Sequence, residues 1–524
     1  MTLPAAKRVL FWILMVATAA ASVWWTLHMR YRPGAVLEVI PAQAAFVSVH
    51  DHPAARWPDW SRNGAIRAAA AAGGLDLDEA AKEFETPRGK AWFKRLGGRE
   101  AAVAYVPAMP YSGEPAWILS CWAGGYGQRL RWLMGLSGAK PVAGPWGDAA
   151  HPIWLLKAKG LPEGMRLALG IREGVVVLAV SPDALSAMRI CLDRADSSRR
   201  RAPVPGPETG CADRAWLRAS EAAGEWQVTI EALTADRFQA TARQAKPWPE
   251  SLARPAAGDP AVLAGLLAEA EGVMTAPWAW VRSGLAAQAG EWLGPLNALV
   301  REAAGTEQAR VGVAVYGGEH AARIRSVFGG GIESYIQGLK VPTFLLAIPV
   351  TDEAAAQAAA GRFLDRFNRI KAFGLVPRPA GICYGYAVTA VEGTRGALYK
   401  DFAPSEQVAY AVAGGWLIVG SHLGALEGLL PYVPHERSAT GGGPAGATLR
   451  LDAPTFSQTV GKFLSALSLV YMGSESPGAE QGRVRLAEWR GWLKRLAPLG
   501  RVEVTARPGA AGAEIVISAN RVTP

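Results

Sequence analysis

The sequence predicts an α+β fold: an N-terminal transmembrane helix followed by a duplicated unit of antiparallel strands with helices packed on the sheet. Three observations predict it. Residues 9–27, VLFWILMVATAAASVWWTL, carry no charge. A strand–turn–strand–helix pattern recurs along the chain in one order. The turns between the strands are short, and short turns join antiparallel neighbours. The chain has 524 residues, half of them apolar and 19% charged, which suits two to four domains with large cores and argues against wholesale disorder.

The first element is the segment 1–35. Residues 9–27 are long enough to cross a bilayer as one helix. Trp12 lies near one end, and Trp24 and Trp25 lie at the other, where interfacial aromatics belong. Lys7 and Arg8 precede the run and Arg30 and Arg32 follow it, so its charge asymmetry is small. A short basic start before an apolar core is that of an exported chain. Small residues offer cleavage after Ala19 or Ala21, but the apolar run continues through Val23, Trp24 and Trp25. That continuation favours an uncleaved signal anchor.

The remainder reads as two copies, 36–247 and 261–524, joined by the Pro-rich stretch 248–260. GMRLALGIREGVVVLAVSPDALSAM (164–188) and SEQVAYAVAGGWLIVGSHLGALEGLL (405–430) each give strand, turn, strand and helix. WQVTIEALTADRFQATAR (226–243) and RVEVTARPGAAGAEIVISANR (501–521) are each a hairpin. Strands at 97–123 match strands at 309–319 and 342–350, each set followed by a helical segment. Segments 261–304 and 455–496 read as mainly helical, the second from Leu and Trp recurring at three and four residues.

The stretch AFVSVHDHPAARW sets His50, Asp51 and His52 in a row at a strand end, where histidines two apart could ligate a metal. A second junction, ATLRLDAPTFSQTV (447–460), has the same Asp followed two residues later by Pro, with no histidine. The shared parts point instead to a helix start, with Asp51 as an N-cap and Pro53 in the first turn. Ser181 and Ser421 likewise read as N-caps. GSHLG (420–424) lacks the spacing of a nucleophile elbow, and the runs at 328–334 and 440–448 lack the phosphate-binding pattern. No catalytic residue, metal ligand or cofactor is assigned.

The formal charge of +10 reflects scattered arginines, with one short run at Arg199, Arg200 and Arg201, and this argues against a nucleic-acid partner. Of four cysteines, Cys121 and Cys383 sit in apolar runs, while Cys191 and Cys211 bracket the Arg/Pro loop and could pair in an oxidising compartment.

Pro41, Ala42, Gln43, Ala44 and Ala45, the strand 46–49, Asp51 and Trp57 resemble the start of a family of bacterial membrane-anchored extracytoplasmic proteins of unknown function. RLGGREAAVAYV (95–106) is similar to that family's next strand, and Gln43 stands where the family usually has an acidic residue. The resemblance implies an extracytoplasmic α+β protein and transfers no catalytic residue. The expectation is a single-pass protein of the bacterial inner membrane with its bulk in the periplasm. It would act as a binding or scaffold protein without an evident catalytic centre. Its partners would be the membrane, through the N-terminal helix, and a protein or hydrophobic ligand. The alternatives are a lipid or hydrophobic-ligand carrier with a Trp-lined cavity, and a metal-assisted hydrolase using His50 and His52.

Overall fold

A computed structural model describes residues 5–72, 77–110, 112–136, 141–142, 151–157, 161, 163–193, 211–220, 224–244, 270–285, 293–306, 309–316, 321–325, 335–340, 342–370, 374–395, 406–433, 446–472, 479–509 and 512–520. The chain divides into two compact units, one drawn from 1–63, 75–235 and 240–244, the other from 64–74, 236–239 and 245–524. The expected linker 248–260 lies outside the described residues.

The strands of the first unit are β1 (Phe46–Asp51), β2 (Glu100–Val106), β3 (Ala116–Trp122), β4 (Ile153–Leu156), β5 (Arg166–Arg172), β6 (Val175–Ser181), β7 (Asp213–Ser220) and β8 (Gly224–Leu233), with residues 240–244 of β9 (Arg237–Gln244). Side by side, eight of them run β8–β7–β1–β2–β3–β6–β5–β4, every pair antiparallel. β9 contacts β8 through the Thr241 hydroxyl, which donates to Glu231 at 2.7 Å. Strand alternation decides the faces. Val47 and Val49 of β1 join Ala102, Ala104, Ile118, Val177 and Ala179 in one core, which the helix Ala184–Leu192 covers with Ala187, Met188 and Cys191. That helix approaches β5 so closely that a β-carbon at Gly170 would lie 2.5 Å from Met188 Sδ. The helix Gly125–Leu136 covers the other face, where Leu130 meets Trp154, Leu169, Ile171 and Val176.

The second unit contains β10 (Gly272–Pro277), β11 (Arg310–Tyr316), β14 (Thr343–Pro349), β15 (Leu375–Cys383), β16 (Tyr386–Gly393), β17 (Ala409–Ala413), β18 (Trp416–Gly420), β19 (Ala447–Asp452), β20 (Arg501–Gly509) and β21 (Gly512–Asn520). Their order is β21–β20–β19–β10–β11–β14–β18–β17–β16–β15, again antiparallel throughout. β12 (Ala321–Arg325) and β13 (Tyr335–Lys340) form a separate hairpin. In each unit the first strand sits between the second strand and the strand that follows the helix after β5–β6 or β17–β18. β15 is paired only with β16 among the described residues, and it tolerates Pro377 and Pro379 because an edge strand can spare a ladder donor.

One helix of the second unit comes from early in the sequence. Gly64–Ala72 packs on the 3-10 turn Ala497–Leu499, and Ala65 joins a core with Leu451, Ala453, Val502 and Ala519. The approach is close enough that a β-carbon at Gly64 would overlap the Pro498 carbonyl.

The structure corrects the expected fold class. Among the described residues nineteen strands belong to the antiparallel sheet architecture, and no helix is long and apolar enough to cross a membrane. The N-terminal helix runs Ala5–Leu27. A second correction falls within 261–304, which was expected to be mainly helical. It contains the central strand β10, followed by the helices Trp278–Leu285 and Leu293–Ala304. Six residues buried on both sides give neither period clearly.

Candidate functional site

The junction of β1 and β7 gathers charge on both faces of the sheet. The register pairs His50 with Asp213, and strand alternation puts Ser48 on the same face. Asp213 is fully buried. Its Oδ1 lies 2.9 Å from His50 Nδ1, and His50 Nε2 lies 3.0 Å from Ser48 Oγ. A carboxylate only accepts, so Nδ1 carries the proton, and in the neutral ring Nε2 accepts from the Ser48 hydroxyl. Asp213 Oδ2 lies 2.5 Å from the Arg56 guanidinium. This contact is an ion pair lacking the alignment of a hydrogen bond. Arg56 and Trp60 come from the helix Pro53–Arg62; Trp60 meets His50 edge-on at 4.8 Å. The Ser–His–Asp order is that of a hydrolase triad. Here, however, Ser48 is only 7% exposed and shares its sheet face with an Asp213 that also holds Arg56. The chemistry this geometry performs is a clamp: it ties the helix to the β1–β7 seam.

The opposite face carries Asp51, Glu100 and Arg214. The Arg214 guanidinium lies 3.4 Å from Asp51 and 3.8 Å from Glu100, and the Gly34 N–H donates to Glu100 at 2.8 Å. Burial pushes the Glu100 carboxyl up from its ordinary value; the Gly34 bond opposes this and the Asp51 charge adds to it. Burial, aided by the charges of Glu100 and Asp51, pushes the Tyr31 phenol up to about 12. A raised carboxyl stabilises the fold fully at low pH, and that contribution is lost as pH rises through the folded-state value. Glu100→Gln should therefore gain on the wild type as pH rises from about 4, and level off once Glu100 ionises in the fold. Denaturant unfolding of both proteins across pH checks this; parallel pH curves would refute it.

The residues singled out in the sequence are dispersed by the structure. Asp51 does not cap the helix that follows. The cap position belongs to His52, in the left-handed region at φ 53°, with no side-chain cap bond. Asp51 turns to Arg214 because it lies in the last position of β1, beside Glu100. His50 points to Asp213, whereas His52 is exposed. Among the described residues no group of three or more His, Cys, Asp and Glu side chains is placed to hold a metal. Ser181 is not the cap either: Asp183 caps by accepting from Ser186 N at 3.2 Å, and Ser181 accepts from Asp183 N. Ser421 accepts from Phe344 N at 3.1 Å, and His422 occupies the cap position. Asp452, by contrast, accepts from Thr455 N at 3.2 Å at the start of its helix. Cys191 is buried and Cys211 half-buried, and the loop between them, 194–210, lies outside the described residues.

A cavity of about 360 Å³ lies in the second unit. Sheet alternation supplies one wall, with Leu346, Val391, Tyr410, Leu417 and Val419 on a common face. The helices Leu293–Ala304 and Glu353–Ile370 supply the other, through Leu296, Leu299, Ala360, Phe363, Leu364 and Phe367. The second helix is tied to β15 by Asn368, whose side chain donates to Leu375 O at 2.8 Å and accepts from Leu375 N at 2.7 Å. Tyr410 brings a phenol to the wall; burial raises it, opposed by a bond with Thr389. The walls are Leu, Phe, Val, Ala and Tyr, in place of the expected Trp.

Asp213 and the cavity were not singled out in the sequence. The signal for the first is the polar alternation of Ser48 and His50 inside an apolar strand. The signal for the second is Ala356, Ala359 and Ala360 preceding Phe363 and Phe367 at helical spacing, a face with small residues beside large ones. No family model matches the chain, and comparison with curated proteins and with solved structures finds no match.

Proposed function

We propose that the protein is a binding protein that holds a small apolar ligand in its second unit. The observation that carries the reading is the cavity of about 360 Å³ between the two helices and the sheet. Ligand sites range over about 300–1,000 Å³ and are mostly apolar, with few polar groups to orient the guest. Space lined by Leu and Phe offers water no hydrogen-bond partner, so an apolar guest is favoured there. The lining exposes no polar atom, which suits a guest that is apolar throughout. The test is a fluorescence titration with N-phenyl-1-naphthylamine, an uncharged probe. Saturable binding is expected, weakened at least tenfold by Ala360→Phe and by an intermediate factor by Ala360→Leu. Thermal melts establish that each variant is folded. Folded variants that bind the probe as the wild type does would overturn the reading.

A further inference from the structure

A second concave site lies in the first unit, far in character from the apolar cavity. It measures about 530 Å³ and is formed by three helices: Pro53–Arg62, Leu77–Glu85 and Pro87–Leu96. Its floor is aromatic. Phe84 and Phe93 stack with centroids 4.6 Å apart, and Trp57 meets them edge-on at 4.9 Å and 5.5 Å. Its rim is cationic. Lys90 and Lys94 stand four residues apart on one helix face, beside Phe93, and Arg62 faces them from the first helix. The helix that carries the lysines is set by a Thr86 cap, accepting from Gly89 N at 2.9 Å, with Pro87 in its first turn. Glu85 is the one carboxylate in the lining. Arg62, Lys90 and Lys94 make no ion pair among the described residues. The Trp57 indole N–H, buried at this wall, has no hydrogen-bond partner among them.

We infer that this groove binds a small amphiphilic anion, with an aryl or acyl body lying on Trp57, Phe84 and Phe93 and its acidic group held by Lys90, Lys94 and Arg62. Charge complementarity selects the occupant. Three cations face one carboxylate, so an anion relieves their mutual repulsion, whereas an uncharged guest leaves it in place. Aromatic faces beside the lysines reward a flat or flexible apolar body, and exposed cations hold an anionic head without first being stripped of water. The site shares no residue with the cavity of the second unit and does not depend on its being occupied.

The test uses the full chain and two naphthalene dyes: the anionic 8-anilinonaphthalene-1-sulfonate and the uncharged N-phenyl-1-naphthylamine. The wild type should bind the anionic dye saturably, and raising the salt should weaken it, since the rim is exposed to screening. Lys90→Gln with Lys94→Gln should weaken the anionic dye at least tenfold and leave the uncharged dye unaffected; both lysines are exposed, so the fold survives. Phe84→Ala should weaken the anionic dye without changing its salt dependence. Equal affinity of the double variant for the anionic dye would overturn the inference. So would failure of the wild type to bind that dye saturably. Loss of the uncharged dye alone in Ala360→Phe would bear on the cavity and leave this groove standing.

Discussion

Asp213→Ala should lower the unfolding free energy by about 3–5 kcal/mol, because removing one partner of a buried charge cluster leaves the others without compensation. Asp213 is fully buried and is shared by His50 and Arg56. Its loss strands the Arg56 guanidinium beneath Trp60 and leaves His50 Nδ1 without its acceptor. Asp213→Asn keeps the volume and one acceptor but not the charge, so it should fall between the wild type and Asp213→Ala. Ser48→Ala removes only a neutral hydrogen bond and should cost about 1 kcal/mol. Denaturant unfolding measures the ranking, and hydrogen exchange in β1 and β7 locates the loss. A cost for Asp213→Ala no greater than that for Ser48→Ala would refute the clamp.

Trp278→Ala should cost the second unit about 3–5 kcal/mol. Trp278 is 1% exposed and opens the helix Trp278–Leu285. Its indole Nε1 donates to Asn297 at 2.8 Å, joining that helix to Leu293–Ala304. Truncation therefore removes a large apolar side chain, opens a void and leaves the Asn297 oxygen with only the longer bond from Arg282, at 3.5 Å. Trp278→Phe retains most of the apolar area and should cost about 1 kcal/mol, the net worth of the lost indole bond. Leu296 and Leu299 on the same helix line the cavity, so Trp278→Ala should also weaken the uncharged dye. Urea unfolding and the dye titration read the two effects. A Trp278→Ala variant as stable as Trp278→Phe would contradict this packing.

The local elements were legible where turn chemistry and alternation agreed. The stretch 164–188 forms β5, β6 and the helix Ala184–Leu192, and 405–430 forms β17, β18 and the helix Leu423–Leu429. Both hairpins turn on two left-handed residues, Glu173 and Gly174 in one and Gly414 and Gly415 in the other. That is the turn a two-residue hairpin favours, and its glycines stand in plain view in the sequence. The caps were misread because Ser181, Ser421 and Asp51 all have the right chemistry at nearly the right place. Tertiary partners decided among neighbours: Arg214 drew Asp51 away, and Phe344 N took Ser421. The Asp213 cluster was illegible because its carboxylate is 163 residues from His50 and only sheet register brings them together. The cavity is defined by what is missing between side chains, and a sequence shows only what is present.

The helix Gly64–Ala72 is made early but packs on Pro498 and Leu499, near the other end of the chain. At ribosomal rates of about 5–20 residues per second, the helix waits on the order of half a minute or more after emerging before its docking turn exists. An Ala-rich segment of nine residues is too short to hold its helix alone in water during that delay. The second unit therefore admits this helix only after residues 497–499 have been made, however early the helix itself emerges.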